Sequence, residues 1–138
     1  MDYLGKAASL CQEHRVELEK KNYDLAREKI YEAKKSYSDH AETSKFSLAQ
    51  TLALTGRLHK PLALISKAEG NHRLGLMHIV YYAVCAQIPC NQHVKIIKPY
   101  FNRCKFTVTT FDDVQNYINS LNEFVDFNNI ETEIDSWI

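Results

Sequence analysis

The stretch KFSLAQTLALTGRLHKPLALISKA, residues 45–68, decides the reading of this chain. Phe46, Ala49, Leu52 and Ala53 share one face of a helix predicted over residues 42–55. Gly56 is read as its stop, because glycine tolerates a left-handed C-cap. Pro61 then fits the first turn of a second helix over residues 59–69, where its missing N–H costs nothing. Gly70-Asn71 breaks the chain again.

The same rhythm extends in both directions. Upstream, Ala7, Leu10, Cys11, His14 and Leu18 share a face of a helix over 6–20. Tyr23, Ala26, Ile30, Ala33 and Tyr37 do so over 23–37. Ser38-Asp39-His40 reads as the connector that caps the next helix. Downstream, residues 73–87 form the most apolar helix (Leu74, Leu76, Met77, Ile79, Val80, Tyr81), which suits a central position. A short helix over 91–98 is expected to stop before Pro99, and residues 105–109 read as an extended linker. A final helix over 111–127 is capped by Thr110, with Phe111, Val114, Ile118, Leu121 and Val125 as its stripe. Residues 128–138 extend that helix or form an acidic, aromatic peptide.

Composition sets the class. The 138 residues are 45% hydrophobic and 25% charged, with 4 glycines and 3 prolines, which favours an all-α soluble domain over a many-turned β-architecture. Net charge is zero but uneven. Residues 61–105 carry six Lys or Arg against one acid, whereas residues 106–138 carry seven acids and no Lys or Arg. The first residues show no secretory signal and no window approaches a membrane span, so a cytoplasmic or nuclear location with reduced cysteines is expected.

Taken in pairs, the helices repeat. Tyr23-Asp-Leu-Ala26-x3-Ile30-x2-Ala33 aligns with Leu58-His-Lys-Pro61-x3-Ile65-x2-Ala68 and, more weakly, with Cys90-Asn-Gln-His93-x3-Ile97-x2-Tyr100. The offsets from Ala26 to Pro61 and from Pro61 to His93 are 35 and 32 residues. They bracket the roughly 34-residue period of one helical repeat class. On these residues the chain resembles the tetratricopeptide family, best over 45–68, where small residues, Gly56, Leu58 and Ala68 fit its pattern. Lys21 departs from it, replacing the glycine of the first copy. The resemblance covers residues 6–101. It implies an all-α fold of stacked antiparallel helix pairs, a short right-handed solenoid of about three degenerate repeats. Residues 1–105 would be the repeats; residues 106–138 would be the C-terminal capping helix and acidic tail of the same domain. Ala26, Ala33, Ala49 and Ala68 would let helices approach closely.

The family's groove binds a peptide or helix of a protein partner, so the resemblance implies an adaptor, scaffold or assembly subunit rather than an enzyme. It places Cys11, Arg15 and Glu19, then Phe46, Gln50 and Leu54, then His78, Tyr82 and Cys85 along that groove. Cys11, Arg15 and Ser47 stand where one branch clamps carboxylates with Lys and Asn, so that branch is not expected. The size suits another branch, small chaperones of secretion partners, and the apolar residues 79–82 leave a homodimer open. The tail motif around Asp135 and Trp137 either docks on a basic surface or packs Trp137 into the cap.

Two further residue patterns bear on chemistry. Lys95, Lys98, Arg103 and Lys105 interleave with Tyr100, Phe101 and Phe106, a pattern that RNA-binding surfaces use, although a solvated face over buried aromatics is the more ordinary reading and nucleic acid the less favoured partner. Cys85-x4-Cys90 with Cys104 and His78 or His93 lacks zinc-knuckle spacing. No metal, cofactor or phosphate-binding loop is expected.

Overall fold

The computed structural model describes residues 1–121 and 126–138. Helix α1 (Tyr3–Glu19) starts at Asp2, whose Oδ1 accepts from the Gly5 N–H at 2.9 Å. Lys21, at φ 61°, turns the chain into α2 (Tyr23–Thr43), which packs back along α1 as a hairpin. Ala7, Ala26 and Ala33 are wholly buried in the seam, where a side chain ending at Cβ lets the backbones approach. Leu10, Ile30 and Tyr37 fill the space around them.

The connector expected at Ser38-Asp39-His40 is instead helical, and α2 runs on to Thr43. The reason is burial. Ile30, Ala33, Tyr37 and Ala41 form one continuous buried stripe, and its packing outweighs the local preference of Ser and Asp for caps. The next helix accordingly begins later. Ser47 caps α3 (Leu48–Thr55) through a capping box: Gln50 N–H donates to Ser47 Oγ at 3.1 Å and Ser47 N–H to Gln50 Oε1 at 2.9 Å. Ser47→Ala is expected to lower the unfolding free energy by about 1 kcal/mol in a urea titration, without a change in slope.

Gly56 does not stop the helix. Its φ of −64° and ψ of −26° are right-handed, and a 3-10 turn, Gly56–Leu58, leads straight into α4 (His59–Ala68). The left-handed turn falls at Gly70, with φ 79°. Leu62 and Ile65 of α4 join the α1–α2 core, while Ala63 faces α5 (His72–Cys85). Ala68, expected in a close contact, is exposed at the helix end; Ala63 occupies that role.

Helix α5 is central, as its all-round apolar character implies: Leu76, Ile79, Val80 and Ala83 are at most 2% exposed. Packed around it are α6 (His93–Ile96), α7 (Lys98–Cys104), α8 (Phe111–Ser120) and α9 (Phe127–Asp135). Pro99 sits in the first turn of α7, so it starts a helix as well as ending one. Thr110 caps α8 as expected, its Oγ1 accepting from Asp113 N–H at 3.3 Å. The single helix expected over 111–127 is not formed. Weak helix formers Asn119 and Ser120 close α8, Leu121 is extended (φ −78°, ψ 144°), and Asp126 caps α9 afresh. Val125 lies outside the described residues.

The acidic tail is part of the core. Ile130 and Ile134 are fully buried, and the Trp137 ring stands edge-on to Phe106 and Tyr117. Arg73 of α5 clamps this end, donating to the carbonyls of Ile134 at 3.3 Å and Trp137 at 3.2 Å. The carbonyl of Ile138 accepts from Val108 and Thr109, both at 2.8 Å, which holds the linker over 105–109 in place. The structure is thus all-helical with no strand among the described residues. Its principal pairings are α1 with α2 and α4 with α5, while α3 rests on α2 rather than pairing with α4 as the repeat pattern implies.

Candidate functional site

Helices α1 and α4 both pack on α2, and between them lies an open groove of about 630 Å³. One wall is a single stripe of α1, Ala8, Cys11, Arg15 and Leu18, at helical steps of three, four and three. The other comes from Arg57, Lys60, Pro61 and Leu64, again one helical face, because right-handed backbone continues through Gly56. Tyr37, Leu58 and His14 contribute from below, and Tyr82 of α5 lines the same space.

The groove's electrostatics are one-sided. Arg15, Arg57 and Lys60 line it with no carboxylate among the lining residues. Ion pairs elsewhere tie Arg27 to Asp24 and Glu69, Lys29 to Glu13, and Lys35 to Asp39. Among the described residues the three groove cations have no such partner. Arg57 instead lies 4.7 Å over the Tyr37 ring and Lys60 5.7 Å over Tyr82, so aromatic faces hold them in position. His14 is 5% exposed and its Nδ1 has no hydrogen-bond partner. Burial, aided by the neighbouring Arg15 charge, lowers its pKa and keeps the imidazole neutral.

A second polar feature is buried behind α4. Lys34 Nζ lies 2.8 Å from His59 Nε2, and His59 Nδ1 lies 2.9 Å from His78 Nδ1. An ammonium only donates, which assigns His59 its proton on Nδ1 and His78 its proton on Nε2. Phe127 stacks on His78 at 5.0 Å, and Tyr81 lies 4.4 Å from His59. Desolvation, then the Lys34 charge, pushes His59 down to about 2 and His78 down to about 4. Burial likewise lowers Lys34 and raises the Cys85 thiol. The arrangement holds both histidines neutral.

No known protein family, curated protein or solved structure matches the chain.

Of the residues assigned to a groove from the sequence, Arg15 and Tyr82 meet in the one described here, joined by Cys11. The others do not. Glu19 is exposed at the end of α1. Phe46 stands edge-on to His40, with ring centroids 5.5 Å apart. Gln50 serves the capping box, and Leu54 packs against the α1–α2 core. His78 is 4% exposed, belongs to the buried chain and does not line this groove. In the tail motif Asp135 is exposed, but Trp137 is buried, with its Nε1 donating to Glu133 Oε1 at 3.2 Å. Lys60 and Leu64 fall within the helix expected over 59–69, but the resemblance assigns the groove to the first helix of each pair; Arg57 falls outside that helix because Gly56 reads as a stop, and with the helical phase carried across it the three share one face at spacings of three and four.

The basic stretch also differs from its sequence pattern. Lys95, Lys98, Arg103 and Lys105 are exposed, but Tyr100 is buried, and Phe101 packs against Phe106 and Phe111 at 5.6 and 5.8 Å. Those rings are engaged in the core rather than displayed for stacking. Among the described residues no three His, Cys, Asp or Glu side chains assemble where a metal ion would fit. The four cysteines are unpaired; Cys104 Sγ donates to the His72 and Tyr100 carbonyls, and burial raises its pKa to about 11. Among the described residues no helix is long and apolar enough to cross a membrane.

Proposed function

We propose that the chain is a protein-interaction module of tetratricopeptide-like type, an adaptor or assembly subunit rather than an enzyme, that holds a segment of a protein partner in the groove between α1 and α4. The observation that carries this reading is the groove itself, an apolar and aromatic trough with exposed Leu64 (43%) on one rim and cations on both walls. The repeat assignment draws support from the α1–α2 hairpin, whose alanine seam is that of a close-packed pair. A binding role also suits the nucleophiles: Cys85 and Cys104 have raised pKa values, so little thiolate forms near neutrality. Four free thiols suit the reducing cytoplasm or nucleus.

The test is affinity capture from source lysate with nuclease present, comparing the native chain with Leu64→Arg. Leu64 is exposed enough for the variant to fold normally. One stoichiometric protein, held by the native chain and at least about tenfold more weakly by the variant, is the expected result. A partner retained equally by both would move the interaction to another face, and material released by nuclease would favour nucleic acid.

A further inference from the structure

Resting on the reading of the groove as an interaction surface, we propose that its occupant is an acidic amphipathic helix of a protein partner. Two observations lead there. The first is shape. The α1 wall from Ala8 to Leu18 spans about 15 Å, three helical turns. Two helices that share α2 as a floor while standing apart leave the position in which another helix packs. The second is charge. Arg15 stands on one wall, Arg57 and Lys60 on the other, with no acid between them. A helix with an apolar stripe toward Leu58 and Leu64 would bring Glu or Asp on both flanks against these cations. Resting on aromatic rings, two of them are already placed, so less side-chain freedom is lost when a carboxylate arrives.

The chain's own acidic segment is not this occupant, since Ile130, Ile134 and Trp137 are committed to the core around α5.

The experiment uses the full chain and fluorescence anisotropy with two designed peptides about three turns long. Both carry the same leucine stripe; one is flanked by Glu and the other by Lys. The proposal expects the Glu peptide to bind about tenfold or more tighter than the Lys peptide, weakening as salt rises. It expects the triple variant R15E/R57E/K60E, whose changed positions are all exposed, to reverse that order. Circular dichroism melts confirm that the variant is folded. Equal binding of both peptides, abolished by Leu64→Arg, would overturn the acidic preference while leaving the interaction surface in place. Absence of binding by either peptide up to about 1 mM would overturn both. Salt-sensitive binding of single-stranded polyuridylate, lost in the triple variant, would assign the cations to nucleic acid instead.

Discussion

Lowering the pH from 7 to 5 is expected to remove about 4 kcal/mol of folding stability, most of it through His59 and His78. Both are buried and neutral in the fold, His59 held at about 2 and His78 at about 4, against an ordinary value of 6.5 in the unfolded chain. Below pH 6.5 the unfolded state therefore binds more protons than the folded state, and stability falls as pH falls. Each histidine contributes roughly 1.4 kcal/mol per pH unit. The His78 contribution is exhausted near pH 4, and that of His59 continues toward pH 2. His14, also lowered by burial, acts in the same direction. Ordinary carboxylates are still largely ionised at pH 5, so the interval from 7 to 5 isolates the histidines. The loss is comparable to the whole stability of a small domain, so urea midpoints should collapse across this interval. The variant His78→Leu removes one titrating group, and the slope of stability against pH should fall by about half, whatever the variant does to absolute stability. A stability that stays flat from pH 7 to 5 would mean that the two imidazoles accept protons freely in the fold.

That buried chain shows where reading the sequence reaches its end. Helix identity was legible wherever apolar spacing is strong: α1, α2, α4 and α5 appear within a few residues of their expected bounds, apart from the C-terminal extension of α2. The extension to Thr43 was hidden because Ser38, Asp39 and His40 favour a cap locally, and only the tertiary burial of Tyr37 and Ala41 overrules them. The contact of Lys34, His59 and His78 joins three helices, and no spacing along the chain announces it. Trp137 could have been a docking peptide or a core anchor; the Arg73 clamp that decides between them lies 64 positions away in sequence. The groove was half legible. Its α1 wall and the face of Lys60 and Leu64 follow from simple periodicity, whereas Arg57 joins that face only through what the backbone does at Gly56.

Replacing Gly56 with alanine sets two effects of opposite sign against each other. Gly56 has right-handed helical dihedrals, so alanine is locally welcome and should stabilise by up to about 1 kcal/mol through reduced freedom of the unfolded chain. Against that, a Cβ built at Gly56 meets the Cys85 Cβ at 2.4 Å and Sγ at 2.9 Å. These distances are far inside contact, and neither atom sits at the end of a long side chain that can swing away. The α3–α4 junction and α5 would have to separate, and overpacking of this kind costs about 3 kcal/mol. The clash wins, so Gly56→Ala is expected to destabilise by about 2 kcal/mol net in urea unfolding. The mechanism has its own control. With Cys85→Gly the nearest remaining atom is the Cys85 Cα at 3.8 Å, an ordinary contact. The double variant G56A/C85G should be no less stable than C85G alone, a coupling of about 2 kcal/mol between the two sites. If Gly56→Ala proves neutral or stabilising, the two helices are not in the close contact described. The same junction carries Arg57 and Lys60 in phase onto the groove wall, so Gly56→Ala should also weaken binding of the acidic peptide, and G56A/C85G should restore it.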